Sequence, residues 1–592
     1  MTATLFKKVD YTLNKLLEDI AMGEIGLPDI QRPFVWPNTK VRDLFDSMYR
    51  GYPIGYVLFW ANGISGSHRQ IGSDAKQAAS RLLIVDGQQR LTSLYAVLKG
   101  IPVVREDFRN ERIQIAFHPG DQKFEVADAA IRRDPDWMSD ISLLWSKDTT
   151  RNKVVKGFLQ RLRESRAGDE SEKTPLTDDE EERLTESIDN LYDLQNYPLT
   201  ALELSVTVRE EEVADIFVRI NSKGTPLNQA DFILTLMSVF WDEGRAELEA
   251  FCRSARIPST GTASPFNYFI QPDPDQLLRV GVGLGFRRAR LQHVYSILRG
   301  KDLETGEFSE QRRNEQFGVL KDSQHYLLDL QNWHEFFKAL TRAGYRRADM
   351  ITSQTTILYV NTMYLIGKRD FQVDGYTLRN VIARWFFMSL LTARYTGSFE
   401  SVMEQDFGRL RDVKNVAGFV TLLDGIIDST FTDDYWNITL PNALGTSSAR
   451  TPSLFAYYAA LNLLDAKVLF SKLKVAELLD PVTHAKKSAL ERHHLFPKGF
   501  LAKDVTSEKR DTNQIANYAL VEWKDNIEIS DQSPATYVPQ YNTRFSEDEL
   551  KKMYYWHALP QDWYTMAYED FLAERRKLIA HVIRDGFFKL RE

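Results

Sequence analysis

The stretch Leu82-Leu-Ile-Val85, closed by Asp86-Gly87-Gln88-Gln89-Arg90, constrains the fold of this chain more than any other. Four apolar residues ended by a charge and a glycine have the pattern of a buried strand. Leu91, Leu94, Tyr95 and Leu98 then recur on one helical face, so a helix over Thr92–Leu98 is expected after the turn. Tyr56-Val-Leu-Phe-Trp60 is a second apolar run of the same kind. This end of the chain therefore reads as α/β, with a strand–turn–helix unit at its centre.

The same unit can do chemistry. Glycine lets the backbone approach a ligand, the following helix N-terminus attracts anions, and Arg90 is a bidentate charge partner. Asp86, Gly87, Gln88, Gln89, Arg90 and Ser93 are thus candidates for a phosphate cradle. Upstream, Gln31-Arg32-Pro33-Phe34-Val35-Trp36 ends in a Pro-bounded turn and offers Arg32 as a second cation. Downstream, Phe217 to Gly224 runs on to Leu227 and Asp231. The plainer reading is a structural turn with Arg90 in an internal salt bridge.

Near the other end lies His493-His494-Leu495-Phe496-Pro497-Lys498. Asn517 follows His494 by twenty-three residues and Asn526 comes nine later. Cutting a phosphodiester requires a base to deprotonate water and a cation to stabilise charge on the leaving oxygen. A histidine beside a metal ligand on one strand, with a later ligand on a packed helix, meets that requirement. The plainer reading is a buried histidine pair with turn asparagines.

At 592 residues the chain is too long for one core. We expect a nucleotide-binding α/β domain over 1–244, an all-α middle domain over 245–444 and a final domain over 445–592. An acidic, solvated insert near 165–183 leads into a helix. The expected class is α+β, mostly helical. Gly281-Val-Gly283-Leu-Gly285 lacks the strand context of a phosphate fingerprint and reads as a flexible helix junction. Leu572, Ile579, Val582, Ile583 and Phe587 supply the apolar face of a last helix, with Arg575, Arg576 and Lys577 largely outside it. Trp36, Trp60 and Trp385 could stack on an extruded base, although core packing explains each of them.

Composition adds limits. No run approaches the ~18 apolar residues of a membrane span. The first residues lack a secretory signal, and Cys252 stands alone, which excludes intrachain disulfides. The expected location is cytoplasmic. The net charge of −7 neither supports nor excludes DNA, because phosphate contacts are made by local patches.

The C-terminal stretch, with Ile515-Ala-Asn517-Tyr-Ala-Leu520 and Asn526 to Pro534, resembles the HNH (ββα-metal) nuclease motif in its His–Asn–Asn variant. That resemblance implies His494 as general base, with His493 and Asn526 as metal ligands. It implies that Asn517 holds the base-positioning loop through side-chain-to-backbone hydrogen bonds and that Lys498 contacts phosphate or stabilises the transition state. Which of His493 and His494 is base and which is ligand stays open on the residues alone, since adjacent strand side chains point to opposite faces. One divalent ion is implied, usually Mg²⁺, with Mn²⁺ or Ni²⁺ tolerated.

The three N-terminal stretches resemble the N-terminal domain of the GmrSD family of modification-dependent restriction enzymes, a relative of the ParB nucleotide-binding fold. This implies NTP binding and hydrolysis (ATP, GTP or another) at Arg32 and Asp86–Arg90. The order of motifs is similar to the single-chain, BrxU- and SspE-like arrangement of that family and covers nearly the whole chain. The implied activity is type IV restriction in phage defence. Double-stranded, modified phage DNA would be cut under NTP control, in a homodimer. Two other readings are a nicking endonuclease triggered by a backbone mark such as phosphorothioate, and a nucleotide-dependent DNA-binding module with an inactive HNH fold.

Overall fold

The computed structural model describes residues 5–26, 34–61, 68–69, 76–77, 81–105, 107–167, 175–205, 207–208, 212–213, 216, 229–301, 309–481, 490–506 and 508–592. They fall into two units, Met1–Arg245 and Ala246–Glu592. The architecture is α+β and mostly helical. No helix among the described residues is long and apolar enough to cross a membrane.

The first unit is built on a five-stranded mixed sheet. In chain order its elements are β1 (Phe6–Thr12), α1 (Leu13–Ala21), β2 (Ile25–Gly26), α2 (Asn38–Tyr49), β3 (Val57–Ala61), β4 (Leu82–Asp86), α3 (Gln88–Lys99) and β5 (Pro198–Leu204). The strand order is β1-β5-β3-β4-β2. β3 runs antiparallel to β4 and parallel to β5, and the β3–β4 register shifts between Leu58 and Phe59, opposite the end of β4. Phe59, Leu82 and Ile84 enter the main core with Leu91, Leu94 and Leu98 of α3, while Leu58, Trp60, Leu83 and Val85 pack on the other face. A strand buried on both faces needs apolar residues at every position, which explains the uninterrupted run at 82–85. The helix starts a turn earlier than the apolar spacing suggests, so Gln88, Gln89 and Arg90 are its first turn.

The acidic segment is part helix. A helix spans Asp178–Tyr192, capped by Thr177, and places Asp178, Asp179, Glu180 and Glu181 in its first turn, where the dipole favours carboxylates. Glu180 is held bidentately by Arg166 at 2.8 and 2.9 Å. Residues 168–174 and the 217–228 motif lie outside the described residues.

The second unit layers helices around a buried pair. Its principal elements are α4 (Pro274–Phe286), α5 (Glu310–Leu328), α6 (Leu330–Arg342), α7 (Gln354–Arg369), α8 (Gly375–Leu391), α9 (Phe399–Arg409), α10 (Pro452–Leu463), β6 (Leu490–His494), β7 (Tyr518–Glu522), α11 (Trp523–Ile529) and α12 (Tyr568–Phe588). α7 and α8 are apolar nearly all round and buried, as such helices must be. α12 packs on α10, and a Cβ at Gly586 would come within 2.6 Å of Ala460 Cβ, so the small residue permits the crossing.

Two sequence expectations are corrected here. Gly281, Gly283 and Gly285 are buried or nearly so inside α4 rather than at a flexible junction. A Cβ on Gly283 would lie 2.9 Å from Thr362 Cγ2 and 3.0 Å from Phe407 Cζ, and one on Gly285 would lie 2.6 Å from Ser323 Oγ. These glycines let α4 approach its neighbours. Arg575 is wholly buried rather than outside the apolar face, because its guanidinium satisfies the carbonyls of Ala516 and His557. Trp60 and Trp385 are core residues, and Trp36 lies half-buried under Lys40.

Candidate functional site

β6 and β7 form an antiparallel hairpin in which His493 faces Ala519 across the ladder and His494 faces Tyr518. α11 follows β7 directly, so a strand, a strand and a helix carry His493, His494 and Asn526. Period-two alternation sends the two histidines to opposite faces of the hairpin. His493 points at α11, and its Nδ1 lies 2.8 Å from Asn526 Oδ1. It is 2% exposed, and its Nε2 is buried with no hydrogen-bond partner. Burial pushes its pKa down to about 4, which keeps the imidazole neutral and able to act as a ligand.

His494 is half-buried on the other face. Its Nε2 lies 3.0 Å from Asn513 Oδ1, which fixes Nε2 as the protonated nitrogen and leaves Nδ1 as the acceptor. Burial, joined by the charges of Lys498 and Arg492, holds its pKa below the ordinary value. Tyr518 packs on the ring at a centroid distance of 4.7 Å. The result is a neutral imidazole with a fixed tautomer, the requirement for a base near neutral pH.

Asn517 braces the connection. It is fully buried at the end of a 3₁₀ turn, Ile515–Asn517. Its Oδ1 accepts from the Phe496 amide at 2.8 Å, and its Nδ2 donates to the carbonyls of Phe496 and Thr512, both at 3.0 Å. Lys498 is exposed at the start of the helix Lys498–Asp504. Asn513 and Tyr537 join the site without having been singled out from the sequence, and Arg575, expected outside the apolar face of its helix, joins them. The Tyr537 hydroxyl donates to the Leu495 carbonyl at 2.7 Å, and Arg575 donates to Ala516.

The approach of His493 Nδ1 to Asn526 Oδ1 gives a basis for testing the fit of a metal. Among the described residues no group of three or more His, Cys, Asp or Glu could hold one. An amide oxygen suits a hard ion such as Mg²⁺ and an imidazole nitrogen a softer one such as Ni²⁺, and with these two ligands a bound ion would keep most of its waters. His493 and Asn526 are the residues that could hold it.

In the first unit the structure brings Asp86, Gln89, Arg90 and Ser93 together around the start of α3, bonded in part to one another and in part to the segments at 35–36 and 54. Gly87 sits at φ 94°, a conformation that glycine adopts without a Cβ penalty, and turns the chain from β4 into α3. Arg90 donates to Asp86 Oδ2 at 3.1 Å and to the Ile54 carbonyl at 2.7 Å, with both side chains of the pair partly exposed. Gln89 is buried, and its Oε1 accepts from the amides of Val35 and Trp36 at 2.9 and 3.3 Å, tying that segment to α3. Ser93 is fully buried and donates to the Gln89 carbonyl at 2.7 Å. Gln88 is half-buried beside them, and Arg32 lies outside the described residues.

An uncharacterized protein of Methanocaldococcus jannaschii is 25% identical over 575 residues, which cover 89% of this chain and 87% of its own length. The family model described as the GmrSD restriction endonuclease, N-terminal domain, matches residues 13–238, a span that holds α1, β4, the Gly87 turn, α3 and β5. Residues 13–238, most of the first unit, are thus similar to the N-terminal domain of the GmrSD restriction endonuclease family.

Proposed function

We propose that the chain is a type IV restriction endonuclease of phage defence, in which the β6–β7–α11 unit is an HNH nuclease and the N-terminal domain binds and hydrolyses an NTP to control it. The observation that carries the nuclease half is the facing pair His493 Nδ1 and Asn526 Oδ1, 2.8 Å apart, two atoms of ligating type brought together by the strand–strand–helix unit. The N-terminal half rests on the family match and on the Asp86–Arg90 pair at the start of α3.

Each residue has a stated task. His494 Nδ1 takes the proton of the attacking water, while Asn513 holds the tautomer. Asn517 fixes the Phe496 backbone, and with it the end of the strand that carries both histidines. Lys498 offers a positive charge to a nearby phosphate. A divalent ion held by His493 and Asn526 would stabilise negative charge developing on the phosphodiester oxygens.

The test is cleavage of 5-hydroxymethylcytosine-containing, glucosylated, phosphorothioated and plain duplex DNA, each with Mg²⁺ or Mn²⁺ and with or without an NTP. Cutting confined to one modified substrate, and absent in His494→Ala, is the expected result. Equal cutting of all four without any nucleotide effect would remove the sensing half. Normal cutting by His494→Ala would remove the base.

A further inference from the structure

On the face of the hairpin opposite His493 there is a cavity of about 580 Å³, within the range of small-ligand pockets. Strand alternation puts Arg492 and His494 of β6 on one face with their cross-strand partners Leu520 and Tyr518 of β7, and all four line this cavity. The far wall comes from Arg347 to Met350 and from Ala449 to Tyr458. The cavity therefore begins at His494 and extends away from Asn526.

Its lining combines cations with aromatic rings. Three arginines, Arg347, Arg450 and Arg492, line it against one carboxylate, Asp349, which is already bonded to Arg347 at 2.6 Å. Arg450 and Arg492 have no ion pair among the described residues. Arg492 donates to the Ala449 carbonyl at 3.3 Å and lies 5.9 Å from the Tyr518 ring centroid. Between these cations the lining is aromatic and apolar, with Phe455, Tyr458 and Leu479. Tyr458 is 7% exposed, and its hydroxyl is buried without a hydrogen-bond partner. A buried hydroxyl in such a position calls for a ligand or a water.

We propose that this cavity is a subsite for one unstacked nucleotide of the DNA strand, next to the phosphodiester that is cut. The base lies among Phe455, Tyr458 and Tyr518 and receives or gives a hydrogen bond at the Tyr458 hydroxyl. Its phosphate meets Arg450 and Arg492, in the manner of aromatic and guanidinium recognition of unpaired bases. The inference rests on the nuclease reading, because His494 is what places the cavity beside the scissile bond. Groups added to a base would be read here, within reach of the chemistry.

The test uses the full-length protein, without divalent metal, titrated calorimetrically with deoxycytidine 5′-monophosphate, with inorganic phosphate and with deoxycytidine. The mononucleotide is expected to bind better than either fragment, and Arg450→Gln and Tyr458→Phe each to weaken it about tenfold. Neither residue belongs to the catalytic set, and Arg450 is exposed, so its variant keeps the fold. No mononucleotide binding, equal binding by the variants, or phosphate alone binding as well as the mononucleotide would each overturn the subsite. DNA cleavage is read in parallel. A wild type that cuts DNA while both variants keep its KM and its mononucleotide affinity would refute the subsite and leave the nuclease reading standing. A wild type that never cuts, yet binds the mononucleotide through Arg450 and Tyr458, would refute the nuclease reading and keep the pocket.

Discussion

Arg575 Nη1 donates to the carbonyl of Ala516 at 2.7 Å, and so ties the C-terminal helix to the turn that ends at Asn517. The same guanidinium donates twice to the His557 carbonyl. Arg575→Leu would leave both carbonyls without these donors in a buried site. The expected cost is about 3–5 kcal/mol, seen as a lowered denaturant midpoint with hydrogen exchange rising first at 515–517. A variant as stable as wild type would show that the helix docks by apolar packing alone.

Asn517 makes three hydrogen bonds to backbone from a fully buried position. Asn517→Ala should cost about 3 kcal/mol at roughly 1 kcal/mol per bond, and should lower cleavage more than it lowers the folded fraction at 25 °C. Activity falling only in step with unfolding would reduce Asn517 to a structural brace.

The close approach of α4 to α7 and α9 yields a packing test. Gly283→Val would drive a side chain into Thr362 and Phe407, with an expected loss of about 1–3 kcal/mol. Gly281→Ala, whose Cβ would meet neighbours only at ordinary contact distance, should be nearly silent. Equal effects of the two on the thermal midpoint would contradict the packing.

What the sequence told, and what it hid, follows from these residues. The 82–85 strand was legible because burial on both faces leaves an unbroken apolar run. The histidines and asparagines stood out because they are rare polar residues near one another in the chain. Arg575 was misread although it lies three residues from Leu572 and four from Ile579, on the apolar stripe. Its charge argued for solvent, and the carbonyls that justify burial lie 18 and 59 positions away. Gly281, Gly283 and Gly285 looked like a hinge because their large neighbours are on other helices. Asn513 is ordinary in sequence and gains its role only by facing His494.

Acid should destabilise the second unit through His557. Its Nε2 lies 2.9 Å from the Lys467 carbonyl, and burial pushes its pKa down to about 4. The unfolded residue binds its proton near pH 6.5, so between those values the unfolded chain holds more protons. Stability is fully present above about pH 6.5 and is lost as pH falls toward 4, by on the order of 3 kcal/mol from this residue. His557→Gln, which can still donate to Lys467, should show a shallower acid limb in urea midpoints between pH 7 and 4.5. An identical limb would place the acid sensitivity elsewhere.

The Asp86–Arg90 pair separates the two readings of the N-terminal motif. Arg90 donates to Asp86 and to the Ile54 carbonyl, so it stabilises the turn whether or not a nucleotide binds. Arg90→Met should therefore cost about 1–3 kcal/mol in either case, and stability alone decides nothing. A ligand that binds only the folded protein adds about 2.7 kcal/mol at a hundred times its Kd, so the melting temperature reports binding directly. If the nucleotide sits at this pair, ATP or GTP raises the melting temperature of wild type and fails to raise that of Arg90→Met. Asp86→Asn, which keeps the shape of the turn, should then lose hydrolysis while its fold is spared. Nucleotides that stabilise both proteins equally would put the pocket elsewhere. Nucleotides that stabilise neither, with both variants weakened, would make the pair a structural ion pair at the head of α3.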